Sequence, residues 1–218
     1  FPGDTGDDQN PEQSDFSATK SPIDGAINLN LGSSIKSTSD GMPDRTTHIL
    51  ELGVGSGAVI VSLLHSLPSA TGVGVDVDNE CIALARENAE AHGVGNRITL
   101  QTHDARIPLD GAFDVVVGNL PYIPDHEWPH SMDPGVLSFT PERALRGGDD
   151  GLAIIRPMVG WIGQVMRPDA LLGLEHAACC EHLVADLLTQ AGFLDVESIA
   201  DEDGLPRFTF GVWPGEGS

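Results

Sequence analysis

The sequence predicts an α/β fold built around a mostly parallel β-sheet. From residue 48 onward, apolar runs of strand length alternate with helix-length segments, a pattern typical of repeated βαβ units. A glycine-rich turn, residues 51–57, ends the first run, and polar residues end several of the others. Because ligands bind at the carboxyl ends of parallel strands, we expect the functional site at that edge of the sheet.

Seven apolar runs are predicted as strands because each is short and bounded by turn-forming residues. They are residues 48–53, 72–77, 98–103, 113–118, 170–175, 195–200 and 207–213. Only the turn 201–206 separates the last two runs, and so short a connection favours an antiparallel pair. We therefore expect a seven-stranded, mostly parallel sheet whose last strand is antiparallel.

Helices are predicted between these strands. One follows the glycine turn at residues 58–67, and the next has Asp78 as its N-cap and Gly93 as its C-terminal stop. A later helix, 151–166, is expected to be kinked or interrupted at Pro157. The last spans 181–191, and the Pro-rich segment 119–148 is predicted as a long loop.

The first 44 residues differ from the rest of the chain. They are rich in Asp, Ser, Gly, Pro and Asn and show no sustained period, so we interpret residues 1–44 as a flexible acidic leader. One short strand is predicted within it, over 26–35, and residues 45–218 form the predicted folded domain. The chain starts at Phe1 with no visible signal peptide, which indicates a fragment or processed form. No apolar stretch reaches the roughly 18 residues of a membrane span, so we expect a soluble protein.

The net charge is strongly negative. With 33 acidic and 11 basic residues, the formal charge is −22. Such a surface repels phosphate backbones, whereas nucleic-acid affinity normally depends on basic contacts. We therefore expect no direct nucleic-acid partner.

The cysteines do not form a disulfide framework, since Cys81, Cys179 and Cys180 are odd in number and two are adjacent. This composition favours a reducing compartment, the cytoplasm or the mitochondrial matrix. We expect Cys179 and Cys180 to be buried small apolar residues.

No metal site is expected. His126 and His130 are four residues apart, but Pro129 lies between them and disfavours a helix there. The cluster of Cys179, Cys180 and His182 lacks zinc-ribbon spacing.

The glycine turn is the first candidate for ligand binding. Gly53, Gly55 and Gly57 end a strand and open a helix, and glycines let the backbone approach a ligand closely at positive φ. The turn can therefore hold a nucleotide-like cofactor, or it is simply a tight connection. With Ala58 it also matches the dinucleotide pattern, so a dehydrogenase is an alternative. That alternative leaves residues 119–122 unexplained.

Two carboxylates end the neighbouring strands. Asp76 follows the glycines by about 20 residues, where a carboxylate can accept both ribose hydroxyls of an adenosine. Its alternative role, a helix cap, is better filled by Asp78. Asp104, within His103-Asp104-Ala105, can accept a hydrogen bond from an adenine amino group or simply face water.

The tetrapeptide Asn119-Leu120-Pro121-Tyr122 ends the fourth predicted strand. The Asn119 side-chain carbonyl can accept one hydrogen bond from an –NH2 group, and the Leu120 backbone carbonyl can accept the other because Pro121 fixes the chain. Tyr122, the only tyrosine, can pack its ring against a planar amide or base. This layout suits methyl transfer to a planar nitrogen; the alternative is a polar turn after a buried strand.

Residues 48–213 resemble the HemK family of glutamine N5-methyltransferases, which modify release factors and, in one branch, a ribosomal protein. The matching segments are 51–58, 74–78 followed by 83–88 and 92–93, 119–124, 144–152 and 207–211. Of these, 144–152 is the most discriminating. The resemblance implies a Rossmann-like class I methyltransferase fold and S-adenosylmethionine (SAM) as cofactor. It also implies a protein partner carrying the glutamine, either a release factor or a ribosomal protein.

The resemblance and the strand-end positions together assign site residues. The cofactor-binding set is Glu51, Gly53, Gly55, Gly57, Asp76, Val77, Asp104, Ala105 and Asn119, and the catalytic set is Asn119, Leu120, Pro121 and Tyr122.

The chain departs from the family pattern in three places. Leu120 stands where the family usually has proline, and Thr140 where it usually has glutamate. Residues 1–44 match neither the family's helical recognition domain nor the segment that follows it, so slow turnover is expected. Ribosomal RNA adenine dimethyltransferases also carry Asn-Leu-Pro-Tyr, which makes RNA adenine methylation the second hypothesis. A SAM-binding module without activity is the third.

Overall fold

The computed structural model describes residues 46–130, 135, 138 and 140–215. The predicted leader, 1–44, and the strand predicted over 26–35 lie outside these residues.

Strands and helices alternate along the chain as the sequence predicts. The strands are β1 (His48–Leu52), β2 (Thr71–Asp76), β3 (Ile98–Thr102), β4 (Phe113–Gly118), β5 (Ile123–Pro124), β6 (Arg146–Gly148), β7 (Met166–Glu175), β8 (Leu194–Ala200) and β9 (Pro206–Trp213). The helices are α1 (Ala58–Ser66), α2 (Asn79–Ala91), α3 (Ile155–Ile162) and α4 (Glu181–Gln190). Short 3-10 turns lie at Gly95–Arg97, Glu142–Ala144, Gly163–Val165 and Ala178–Cys180.

Seven strands form one mixed sheet in the order β3-β2-β1-β4-β7-β9-β8. The pairs among β3, β2, β1, β4 and β7 are parallel. Strand β9 runs antiparallel to both β7 and β8. The predicted fold class, a seven-stranded mostly parallel sheet with an antiparallel last strand, is therefore confirmed.

The core fills both faces of the sheet. Apolar side chains of α1 and α2 pack with Ile49 and Val115 on one face. Those of α3 and α4 pack with Leu50 and Val116 on the other. Because the side chains of a strand alternate between its faces, β1 and β4 read as near-continuous apolar runs when both faces are covered.

The helix signals read from the sequence are confirmed at α2. The Asp78 side chain accepts a hydrogen bond of 2.9 Å from the Glu80 backbone N–H, as an N-cap does. Gly93 follows the helix with φ of 70°, the left-handed conformation that ends many helices.

Three predicted boundaries were wrong. Helix α3 begins at Ile155, so Pro157 lies in its first turn, where a missing N–H costs no helical hydrogen bond and no kink is needed. Strand β7 begins at Met166, four residues before the predicted start, although the register shifts before Leu171. The predicted loop 119–148 contains a small parallel sheet, β5 paired with β6.

Among the described residues, none of the helices combines the length and the apolar character that a membrane crossing would need.

Candidate active site

A cavity of about 310 Å³ lies at the carboxyl ends of β1 and β4. It is lined by Glu51, Gly53, Val54, Gly55, Ser56, Ala58, Val59, Asn119, Tyr122, Ile123, Ala144 and Leu145. The structure thus brings together the glycine turn, the Asn119 tetrapeptide and the segment that begins at Ala144. These are three of the segments that the sequence analysis assigns to one site.

Gly53 allows the first two of these segments to touch. Its φ is 73°, and a Cβ at this position would lie 3.0 Å from Leu120 Cδ2 and 3.3 Å from the Asn119 carbonyl oxygen. A side chain here would push against Leu120 and the Asn119 carbonyl, and the positive φ also favours glycine. Strands β1 and β4 are neighbours with Leu52 opposite Gly118, so the two turns leave the sheet side by side.

Asp76 holds the glycine turn from the neighbouring strand. Its Oδ2 accepts a hydrogen bond of 3.0 Å from the Gly55 N–H, and its Oδ1 accepts one of 2.9 Å from the Asp78 N–H. A carboxylate has lone pairs beyond these two bonds, so Asp76 retains acceptor capacity for a ligand hydroxyl. At Gly55, the direction of a missing Cβ points into open space, with nothing within 4 Å. This open, glycine-lined wall beside a carboxylate fits an adenosyl cofactor.

Glu51 supports the turn from inside the protein. Its side chain is only 2% exposed, and Oε2 accepts a hydrogen bond of 3.0 Å from the Ile60 N–H in the first turn of α1. A carboxylate at a helix N-terminus satisfies an otherwise unpaired N–H and interacts favourably with the helix dipole. Glu51 therefore lines the cavity and also fixes α1 against the glycine turn.

The three remaining predicted cofactor contacts, Val77 after β2 and Asp104 and Ala105 after β3, differ in their exposure and in their bonding partners. Val77 is 58% exposed, so it presents an open apolar side chain beside Asp76. Asp104 binds the Arg106 guanidinium through both carboxylate oxygens, and that hydrogen bonding lowers the pKa of Asp104. Ala105 is buried, and its carbonyl accepts a hydrogen bond of 3.1 Å from Trp161 Nε1.

The tetrapeptide presents its polar groups to the cavity and its apolar group to the core. Asn119 is exposed and lines the cavity, whereas Leu120 is only 4% exposed and packs beside Gly53. Pro121 and Tyr122 are half-buried, and Tyr122 lines the cavity next to Asn119. The burial of Leu120 anchors the turn and leaves the Asn119 amide at the surface of the cavity.

Sequence reasoning missed Glu175, the last residue of β7. The Tyr122 hydroxyl donates a hydrogen bond of 2.8 Å to Glu175 Oε1. Burial, reinforced by this carboxylate, raises the pKa of Tyr122, so the phenol stays protonated. Burial also raises the pKa of Glu175. An acidic residue directly after the apolar run 170–174 was the available signal, and it is the same signal that identified Asp76.

The segment that contains β6 crosses beside the cavity and is held by ion pairs. Arg143 binds the Asp78 carboxylate at the end of β2, and Arg146 binds Glu142 and, at 2.8 Å, Asp125. The hydrogen bond from Glu80 and the contact with Arg143 both lower the pKa of Asp78. Arg143 and Arg146, which flank the cavity-lining residues Ala144 and Leu145, are therefore each paired with a carboxylate.

The cysteine prediction was half wrong. Cys180 is buried but Cys179 is exposed, although both lie in the 3-10 turn Ala178–Cys180. Partial desolvation of its thiol and a hydrogen bond to Glu127 raise the pKa of Cys179 to about 12. Potential ligand atoms of His126, Glu127 and Cys179 lie within 4.8 Å of one another, a grouping that the sequence spacing did not suggest.

Comparison with known proteins agrees with this geometry. A family described as "Methyltransferase domain" matches residues 49–133. The release factor glutamine methyltransferase of Caulobacter vibrioides is 36% identical over 165 residues, and that of Geobacter sulfurreducens is 37% identical over 164. Both alignments cover 75% of this chain but only 57% of the relative, so the chain spans little more than half the length of these curated relatives.

Solved structures confirm the fold. A methyltransferase from Pyrococcus furiosus superimposes with a TM-score of 0.58 at 16% identity, over 89% of this chain and 83% of that one. At this identity the likeness supports the fold alone. Together, the comparisons show a methyltransferase domain over residues 49–133 and similarity to release factor glutamine methyltransferases over three quarters of this chain.

Proposed function

We propose that this protein transfers a methyl group from SAM to the side-chain amide nitrogen of a glutamine in a protein. The observation that carries the proposal is the shared cavity, in which the glycine turn and Asn119 with Tyr122 form adjoining walls. One wall suits an adenosyl cofactor, and the other suits a planar –NH2 group.

The cofactor side rests on Asp76 and the glycine turn. Asp76 holds Gly55 in place and retains lone pairs for ribose hydroxyls. Val77, exposed beside it, offers an apolar surface to the adenine ring. When bound, SAM supplies an electrophilic methyl group carried on a sulfonium. After transfer, the rest of the cofactor is a neutral thioether.

The residues on the acceptor side of the cavity compensate for the poor nucleophilicity of the glutamine amide nitrogen. An amide nitrogen is a weak nucleophile because its lone pair is delocalised into the carbonyl. The Asn119 side-chain oxygen and the Leu120 carbonyl accept hydrogen bonds from its two N–H groups. They so favour the form of the amide whose nitrogen lone pair is localised. Tyr122 packs against the amide plane. Positioning and electrostatic stabilisation of this kind supply much of a rate enhancement, and no strong base is required. The amide proton is lost after the new N–C bond has formed.

A glutamine in a release factor or ribosomal protein is the acceptor that we propose. The curated relatives are named release factor glutamine methyltransferases, and they are bacterial proteins, which favours the cytoplasm as the place of action. The charge of −22 and the pairing of Arg143 and Arg146 with carboxylates argue against a phosphate backbone as partner. RNA adenine methylation is the second candidate, favoured by Leu120, because an adenine amino group can make the same two hydrogen bonds.

Mass spectrometry of a methylated acceptor tests the proposal. The chain is incubated with SAM and a bacterial release factor, and the methyl group is mapped after proteolysis. We expect one added methyl on a glutamine, and none when that glutamine is replaced by asparagine. SAM binding without methylation of any release factor or ribosomal protein would instead favour a module without activity.

A further inference from the structure

Strand β7 delivers a side chain to the site beside the Asn119 tetrapeptide. Strands β4 and β7 are parallel neighbours, and Gly118 is paired with Leu174 in their register. Each of these residues comes directly before a polar one, Asn119 just after β4 and Glu175 at the last position of β7. The two polar residues therefore leave the sheet at the same level.

The Glu175 carboxylate contacts the hydroxyl end of Tyr122. Its Oε1 accepts a hydrogen bond of 2.8 Å from the Tyr122 hydroxyl. The positive charge of Arg207, on the antiparallel strand β9, acts on both groups. Arg207 is itself held by Asp201 through an Nε–Oδ2 contact of 3.2 Å. The hydroxyl end of Tyr122 is thus tied to the closing strands of the sheet.

We propose that Glu175 is a positioning residue for methyl transfer, because it locks the ring of Tyr122 in the orientation that clamps the acceptor amide. The proposal rests on the function proposed above for Tyr122. The Pro121 ring restricts the backbone before Tyr122, and the Ile123 N–H after it donates a hydrogen bond of 2.8 Å to the Leu145 carbonyl. Glu175 fixes the hydroxyl end of the side chain. Without this hydrogen bond the ring can swing about the first side-chain torsion, and the amide loses one wall of its site.

A purely structural alternative assigns Glu175 only to charge balance with Arg207. The two accounts make different predictions for a variant that loses the charge of Glu175 but keeps a hydrogen-bond acceptor. Glu175→Gln removes the charge but keeps an oxygen that can accept from the Tyr122 hydroxyl. Glu175→Leu removes both the charge and the acceptor.

The kinetic test compares these variants using a release factor as acceptor. Turnover at saturating SAM is measured for Glu175→Gln, Glu175→Leu, Tyr122→Phe and the double variant Tyr122→Phe/Glu175→Leu, and calorimetry gives the SAM Kd of each. The matched control is Asp114→Asn. It weakens the partly buried pair of Asp114 with Arg167, 2.9 Å apart, which lies near the amino ends of β4 and β7 and away from the cavity.

We expect Glu175→Leu and Tyr122→Phe each to lower kcat by roughly 10- to 100-fold, the scale of a misplaced reacting group, with little change in SAM Kd. Glu175→Gln should retain most of the activity. The double variant should be no slower than the slower single variant, because both changes break one hydrogen bond. Normal kcat in Glu175→Leu, losses that multiply in the double variant, or Glu175→Gln as slow as Glu175→Leu would overturn the proposal.

A second measurement does not depend on activity. Tyr122 is the only tyrosine in the chain, so ¹³C-labelled tyrosine gives an NMR signal from this ring alone. We expect a single rotamer of the first Tyr122 side-chain torsion in the wild type and in Glu175→Gln, and averaging between rotamers in Glu175→Leu. The same single rotamer in the wild type and in Glu175→Leu would refute the proposal even if no acceptor were methylated. Failure to methylate any acceptor would separately contradict the proposed function.

Discussion

Gly53 and Asn119 are in such close contact that a single methyl group placed on Gly53 would lie 3.3 Å from the Asn119 carbonyl oxygen. The glycine turn after β1 and the tetrapeptide after β4 therefore form adjoining walls of the cavity. This contact depends on the two strands being neighbours and is favoured by the absence of a side chain at the first residue of the turn. It explains how two motifs separated by more than 60 residues form one site.

Gly53→Ala should damage both stability and activity. The substitution forces a side chain into a left-handed conformation and against Leu120, which should cost about 1–3 kcal/mol of unfolding free energy. Gly93→Ala is the matched control, since its φ is nearly the same, 70°, but nothing lies within 4 Å of the added carbon. Thermal unfolding and methyl-transfer rate are the measurements. Equal activity in the two variants would show that the Gly53 contact does not shape the site.

Asp76→Ala should weaken SAM binding by about 1–3 kcal/mol, the scale for losing a charged hydrogen-bond partner. The loss has two sources: the proposed ribose contact, and the bond that holds Gly55. Asp78→Ala removes the same charge two residues away and should leave the affinity for SAM close to that of the wild type. Calorimetric titration measures both. Unchanged affinity in a folded Asp76→Ala protein would remove Asp76 from the cofactor site.

Much of this architecture could be predicted because the buried strands are long and apolar. Strands β1, β2 and β4 and the capped helix α2 follow from periodicity and from Asp78 and Gly93. The β5–β6 sheet could not be predicted, since its strands have only two and three residues and one contains Pro124. Pairs this short depend on tertiary contacts rather than on their own sequence.

The site was predicted only from residues that stand next to recognisable motifs. Asn119 and the glycines could be found because a strand leads directly into each. The apolar run before Glu175 places it at a strand end, but its contact with Tyr122 depends on β7 lying beside β4, and sequence order does not reveal that neighbour. The exposure of Cys179 was missed because adjacent cysteines have the same local pattern whichever one faces the core.

Leu120→Pro should be tolerated by the chemistry. The proposed contact uses the backbone carbonyl of residue 120, which proline retains. The buried Leu120 side chain packs near Gly53 and Gly118, so we expect a loss of about 1–2 kcal/mol in unfolding free energy with methyl transfer preserved. Leu120→Ala controls for the lost packing. Should Leu120→Pro abolish transfer while Leu120→Ala retains it, the assigned backbone contact would be wrong.

His176 should make the fold sensitive to acid. It is fully buried, Nδ1 lies 3.0 Å from the Ala177 carbonyl, and Nε2 lies 2.8 Å from Thr209 Oγ1. Because a carbonyl only accepts, we assign the proton to Nδ1 of a neutral ring. Burial lowers the pKa of His176 from 6.5, so the unfolded chain binds a proton that the folded chain does not.

Stability that is present above the unfolded-state pKa is therefore lost as the pH falls below 6.5. Denaturant unfolding of the wild type and of His176→Asn between pH 8 and pH 5 measures this term. We expect the difference in unfolding free energy between the two proteins to shrink as the pH falls through this window. A difference independent of pH would contradict the neutral, buried ring.

Transfer of labelled methyl groups to competing acceptors tests the central claim most directly. The chain, or its Asn119→Ala variant, is incubated with labelled SAM, a release factor and ribosomal RNA in one mixture, and the labelled residue or base is identified after hydrolysis. We predict label in glutamine from the wild type and almost none from Asn119→Ala, although calorimetry should show nearly equal SAM affinity. Label in adenine and not in glutamine, or near-normal turnover by Asn119→Ala, would contradict the account.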